Sequence, residues 1–238
     1  MPAAMVLTGL ACGALVGGAG LALWNSLRPI AGASRAVVAI RWVAAALVAT
    51  GAALAWQGGY GVPRPARHLI LMAALAVPPE IHRRSGSQWG QLLGILPALV
   101  LTGTGLIWTA VSMDANAGAG SATLVELAVT ACGGLGARSL GLALREARTY
   151  PPRINRTFNG TYCLLTLIVG SLALMNLWQR GTVWDSTAGE SGLASSWLAW
   201  SASRVNVHPT AWLRTVLIAV AAIASIILAV VYPIAIPN

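Results

Sequence analysis

The chain has 238 residues, of which 57% are hydrophobic and 9% charged, and its mean hydropathy is +0.72. That excludes an ordinary soluble domain, where about 25% of residues are charged, and a disordered chain, which is polar and poor in aliphatic residues. Fifteen basic residues stand against six acidic ones and all fifteen are arginine; most lie between apolar runs, which fits membrane orientation better than nucleic-acid binding.

Apolar runs near the length of a bilayer crossing occupy 3–24, 36–56, 91–113, 121–144, 158–178 and 213–235. Two further runs are weaker. One covers about 66–83, with an uninterrupted apolar core only from His68 to Pro79, and Pro78-Pro79 must bend or end it. The other, 192–207, reads by hydropathy alone as an interfacial helix. The first run has no basic residue before it and is longer than a signal-peptide core, so it reads as a retained helix. No soluble domain fits. The expectation is one all-α, polytopic transmembrane bundle over 1–238, of seven or eight helices with six secure. Its one long outer loop covers about 179–191.

The arginines set the orientation. With eight crossings and the N-terminus outside, Arg28, Arg35, Arg83, Arg84, Arg145, Arg148, Arg153, Arg156, Arg204 and Arg214 fall on the inner side. Arg64, Arg67 and Arg180 fall outside. Arg41 and Arg138 lie within helices near their inner ends, where they can snorkel. If 192–207 does not cross, Arg204 and Arg214 move outside and the bias weakens, so charge favours eight crossings. Glu126 lies in the outer half of its helix. It is 12 residues, or about 18 Å, from Arg138 and cannot pair with it. An intramembrane acid is a functional candidate by default; the alternative is a bond to a neighbouring helix or subunit.

Cys12, Cys132 and Cys163 are scattered, with no zinc spacing and no CxxCH, and read as small buried hydrophobes. Gly133, Gly134, Gly136 and Gly141 share one helix and read as close helix packing. Six acids leave little material for acid–base catalysis, so an enzyme is not the expectation. The histidines carry more. His82 and His208 fall at one inner depth on different elements, as a haem would need from two imidazole ligands; the plain alternative is two interfacial polar residues beside arginines. His68 lies near the outer surface. Of the ten tryptophans, Trp178, Trp184, Trp197 and Trp200 concentrate in and just after the outer loop, with Asp185 and Glu190 among them.

Here the chain resembles the cytochrome c assembly family, membrane proteins that handle haem and carry a Trp-rich loop. A helix ends at Leu177-Trp178 and the loop Gly181-Thr182-Val183-Trp184-Asp185 follows. Then come Glu190, Trp197-Leu198 seven residues later, His208, Trp212-Leu213-Arg214 and a last helix. The resemblance covers about 155–238 and is one of order and spacing. It departs from the family in a sparser, shorter loop, in Ser186 where the family has Pro, and in His208, three residues late. It implies a bacterial plasma-membrane protein with the Trp/Asp loop on the outer face. Trp178, Trp184, Asp185, Glu190 and Trp197 would face haem outside, and His82 and His208 would hold haem b near the inner face, with His68 as an alternative ligand. Three functions follow as expectations. The first is a haem-handling protein of the cytochrome c system. The second is a non-catalytic accessory subunit packed on other membrane subunits of a respiratory or photosynthetic electron-transfer complex. The third is a small transporter.

Overall fold

The computed structural model describes residues 3–58, 62–79, 88–111, 124–146, 156–183, 188–205 and 211–235. Among them are eight helices and no strand: α1 (Ala3–Leu27), α2 (Ala33–Gly58), α3 (Arg64–Ala76), α4 (Gln88–Val111), α5 (Leu124–Glu146), α6 (Arg156–Arg180), α7 (Ala188–Val205) and α8 (Ala211–Ala235). Four stretches are long and apolar enough to cross a membrane: Ala3–Leu27, Ala33–Trp56, Gln91–Ala110 and Tyr162–Arg180. Val216–Tyr232 is a shorter apolar stretch in α8. An α-helical bundle satisfies every backbone group within each segment, which apolar surroundings require.

The helices are not equivalent. Helices α1 and α2 pack on each other, and α1 also packs on α4. Helix α5 is the hub of the other half, touching α3, α4, α6, α7 and α8. Helix α3 joins the halves through α2, α4, α5 and α8. It is only 13 residues, about 20 Å, long. Pro63 precedes it and Pro65 sits in its first turn, where a missing N–H costs nothing. Pro78-Pro79 ends it, since proline can neither donate nor fit the next turn. Ala66, Arg67, His68, Leu69, Ile70, Met72, Ala73 and Ala76 are all buried. The segment that hydropathy ranked as weak is therefore a central helix, enclosed by protein.

The last carbonyls of a helix lack intrahelical partners. At the end of α3, Arg41 of α2 supplies one: its Nε and Nη2 donate to the Val77 carbonyl at 3.2 and 3.1 Å. The sequence places Arg41 as a snorkelling residue. Instead it reaches into the bundle and sets a cation on the negative end of the α3 dipole.

Glycine lets α5 serve as hub. A Cβ at Gly133 would press on Ala229 and lie 2.8 Å from Met72 Cε. At Gly136 it would lie 2.9 Å from the Ala222 carbonyl, and at Gly134 2.8 Å from Leu75 Cβ. These glycines let α8 and α3 approach the α5 backbone, as the small-residue reading expects. A Cβ at Gly9, on α1, meets nothing within 4 Å. Gly133→Leu should therefore destabilise the folded protein by about 1–3 kcal/mol through overpacking. Gly9→Ala should be neutral or stabilise by up to about 1 kcal/mol through helix propensity. Thermal unfolding in detergent checks the pair, and equal midpoints for both variants would refute the packing account.

Candidate functional site

The polar side chains gather at two junctions. The first surrounds the start of α3, where the turn-forming prolines place Arg64, Arg67 and His68 in consecutive turns. Arg64 forms an ion pair with Glu126, in the first turn of α5. The acid that hydropathy exposed as anomalous is thus bonded to a neighbouring helix, and it also sits favourably at its own helix N-terminus. Arg64 and Arg67, counted from sequence as outer-loop residues, belong to α3; Arg67 is buried.

His68 is buried one turn further on. Its Nδ1 lies 2.5 Å from Thr130 Oγ1, and the Thr130 hydroxyl donates its single proton to the Glu126 carbonyl at 2.7 Å. The hydroxyl must therefore accept from His68, which fixes a proton on Nδ1. The imidazole meets Trp56 edge to face, with centroids 5.5 Å apart and planes at 87°. Through Nδ1 and its ring contact, His68 ties α3 to α5 and α2.

The second junction docks α7. Ser225 of α8 donates to the Ala221 carbonyl at 2.8 Å. It therefore accepts from Trp200 Nε1 at 3.0 Å and from Ser196 Oγ at 2.5 Å. With its proton committed, Ser196 accepts from the Cys132 thiol of α5 at 3.2 Å. One directed chain of donors thus ties α5, α7 and α8 together. On the other side of α7, Trp197 Nε1 donates to Thr166 Oγ1 at 3.1 Å, and Ser201 bonds Tyr162 at 3.2 Å. Glu190, 2% exposed, accepts from Asn176 Nδ2 at 2.8 Å. Trp200 is fully buried. Helix α7 is a packed member of the bundle, and it is not among the described stretches long and apolar enough to cross a membrane. Cys132 reads correctly as buried, but Cys163 is exposed and Cys12 half-buried.

Of the sequence-derived haem-facing set, Glu190 and Trp197 point between helices, and Trp178 stands 91% exposed at the end of α6. Trp184, Asp185, His82 and His208 lie outside the described residues. Among the described residues, His68 is not brought together with Trp178, Glu190 or Trp197. Among the described residues no group of three or more His, Cys, Asp or Glu could hold a metal ion. The sequence reading missed Thr130, Asn176, Thr166 and Ser225. The available signal was spacing: Glu126 with Thr130, and Ser196 with Trp200, are each four apart on one helical face.

Helix α6 is the loosest member, contacting only α5 and α7 among the substantial pairings. A cleft of about 370 Å³ separates it from α5, lined by Leu127, Ala128, Ala131, Ile168, Leu172 and Met175 among others. Its lining is apolar except for Ser171. Comparison of the chain with family models, with curated proteins and with solved structures finds no match.

Breaking a buried ion pair by removing one partner leaves an uncompensated charge and costs about 3–5 kcal/mol when burial is complete. Arg64 is partly exposed, so Glu126→Gln should cost no more than about 3 kcal/mol. The double variant Arg64→Met, Glu126→Leu should recover most of that loss. Unfolding midpoints of the single and double variants test this, and a double variant as unstable as the sum of its parts would disprove the pairing.

Proposed function

We propose that this chain is a membrane protein of the cytochrome c assembly type that holds haem b within the bilayer and does not deliver it. The observation that carries this reading is the α6–α7–α8 unit. Helix α6 runs two residues past Trp178 to Arg180, α7 carries Glu190 in its first turn and packs through Trp197 and Trp200, and α8 follows. That is the order the resemblance implies. His82 and His208 would be the axial ligands near the inner face, and the iron between them would supply one-electron chemistry.

The outer haem platform fits poorly. Glu190 is occupied by Asn176 and Trp197 by Thr166, so side chains expected to face haem hold helices together. A protein that has turned these groups inward keeps the scaffold without the delivery surface. This favours a second reading, a non-catalytic accessory subunit of a larger electron-transfer complex in a bacterial plasma membrane. The loosely held α6, with Leu164, Leu167, Leu174 and Trp178 exposed, would suit packing against other membrane subunits. The transporter reading draws on the short α3 and its partly buried ion pair, since broken helices and intramembrane charges mark many substrate sites.

The reduced-minus-oxidised visible spectrum of the purified protein separates these readings. A haem b band is expected in the wild type and should be lost in His82→Ala and in His208→Ala. A band that persists in both variants overturns the ligand assignment. No band in the wild type, with large respiratory or photosynthetic subunits co-purifying, establishes the accessory subunit in its place.

A further inference from the structure

Helix α6 is fastened by polar bonds along one side. Tyr162, Thr166 and Asn176 bond to Ser201, Trp197 and Glu190 of α7. Thr166 and Asn176 each lie five residues from Ser171, which at 3.6 residues per turn puts Ser171 on the opposite side of α6. That opposite side borders the cleft, whose lining includes Leu127, Ala128 and Ala131 of α5 and Ile168, Ser171 and Met175 of α6. Moving α6 onto α5 to close the cleft would strain the bonds to α7.

The cleft suits hydrocarbon. Ser171 is the one polar residue in its described lining, whereas a held water needs about two to four polar partners. Left unfilled, the cleft would forfeit the dispersion contacts that close packing supplies. Its volume is about 370 Å³, more than twice the roughly 150 Å³ of an apolar cavity that takes up benzene. From Leu167 to Met175 it follows α6 for about 12 Å. Volume and length together give a width of about 6 Å, well short of the ~10–12 Å of a helix with its side chains. One extended chain fits lengthwise, and a helix does not.

The mouth of the cleft opens toward the bilayer. Tyr162–Arg180 is long and apolar enough to cross a membrane, and Leu167 and Leu174 at the mouth are 68% and 70% exposed. Trp178 falls two turns after Ser171 along the same face and is itself exposed. A tryptophan at the end of a crossing sits at headgroup level, with its N–H toward the polar layer. Leu167 lies about 16 Å deeper along α6, which matches half of the ~30 Å hydrocarbon core. Trp178 and the cleft thus span the depth of one leaflet.

We propose that the α5–α6 cleft binds one acyl chain of a phospholipid from the leaflet on the Trp178 side, with Trp178 against the headgroup region. Van der Waals fit holds the chain, because lipid and protein are equally apolar at this depth. The indole N–H gives the lipid its direction by donating to an ester or phosphate oxygen. The site stands apart from the haem reading and does not depend on it. Where a partner subunit packs on α6, the lipid lies between the two.

Full-length protein in detergent tests the site by native mass spectrometry, first as purified and then delipidated and titrated with dioleoylphosphatidylcholine. One phospholipid should stay bound under activation that strips the others. Ala131→Phe fills the cleft from α5. Ser171→Phe fills it from an exposed position on α6 and serves if Ala131→Phe does not fold. Each should lower occupancy by about tenfold or more, the effect of losing on the order of ten close carbon contacts. Trp178→Ala should also weaken retention, while Leu10→Phe, at an exposed position on α1, should leave it unchanged. No phospholipid retained by the wild type overturns the proposal. Equal retention in Ala131→Phe and Ser171→Phe overturns it as well. An isoprenoid quinone retained by the purified protein in place of phospholipid gives the cleft another occupant and overturns it too.

Discussion

The structure depends on one short helix whose two ends are polar and whose surroundings are not. Helix α3 packs against four other helices, and most of its residues are buried. Each end must be satisfied by protein or pay the cost of an unmade hydrogen bond. Arg64 at the start finds Glu126, and the Val77 carbonyl at the end finds Arg41. These two contacts fix the depth of α3, and α3 in turn sets the spacing of α2, α4, α5 and α8. Cations at a helix N-terminus oppose the macrodipole, so Arg64 and Arg67 are tolerated there because a carboxylate lies opposite.

Helix α7 follows the same logic by neutral means. Its serines and tryptophans lower its hydropathy, yet Ser196, Trp197, Trp200 and Ser201 all bond to neighbouring helices. In an apolar interior such bonds hold a helix where apolar burial alone gives little drive. Of these four, Trp197 alone belongs to the set that the family resemblance would turn toward haem.

Much of the architecture was legible in the residues. Six apolar runs locate α1, α2, α4, α5, α6 and α8 closely. The glycines of α5 announce close packing. The candidate site was less legible. Glu126 stood out as an acid in an apolar run, but its partner lies 62 residues away on a helix that hydropathy rates poorly. Arg41 read as a snorkelling side chain because nothing local shows that a helix ends beside it.

Composition and run length determined by themselves that this is a helical membrane protein. These are properties of segments, and transfer between water and lipid acts on segments one at a time. Only the tertiary structure decided which polar residues meet: Arg64 with Glu126, Trp200 with Ser225, Glu190 with Asn176. Such pairings depend on helix rotation and depth, which are set by packing at glycines and by the length of α3. No single segment carries that information.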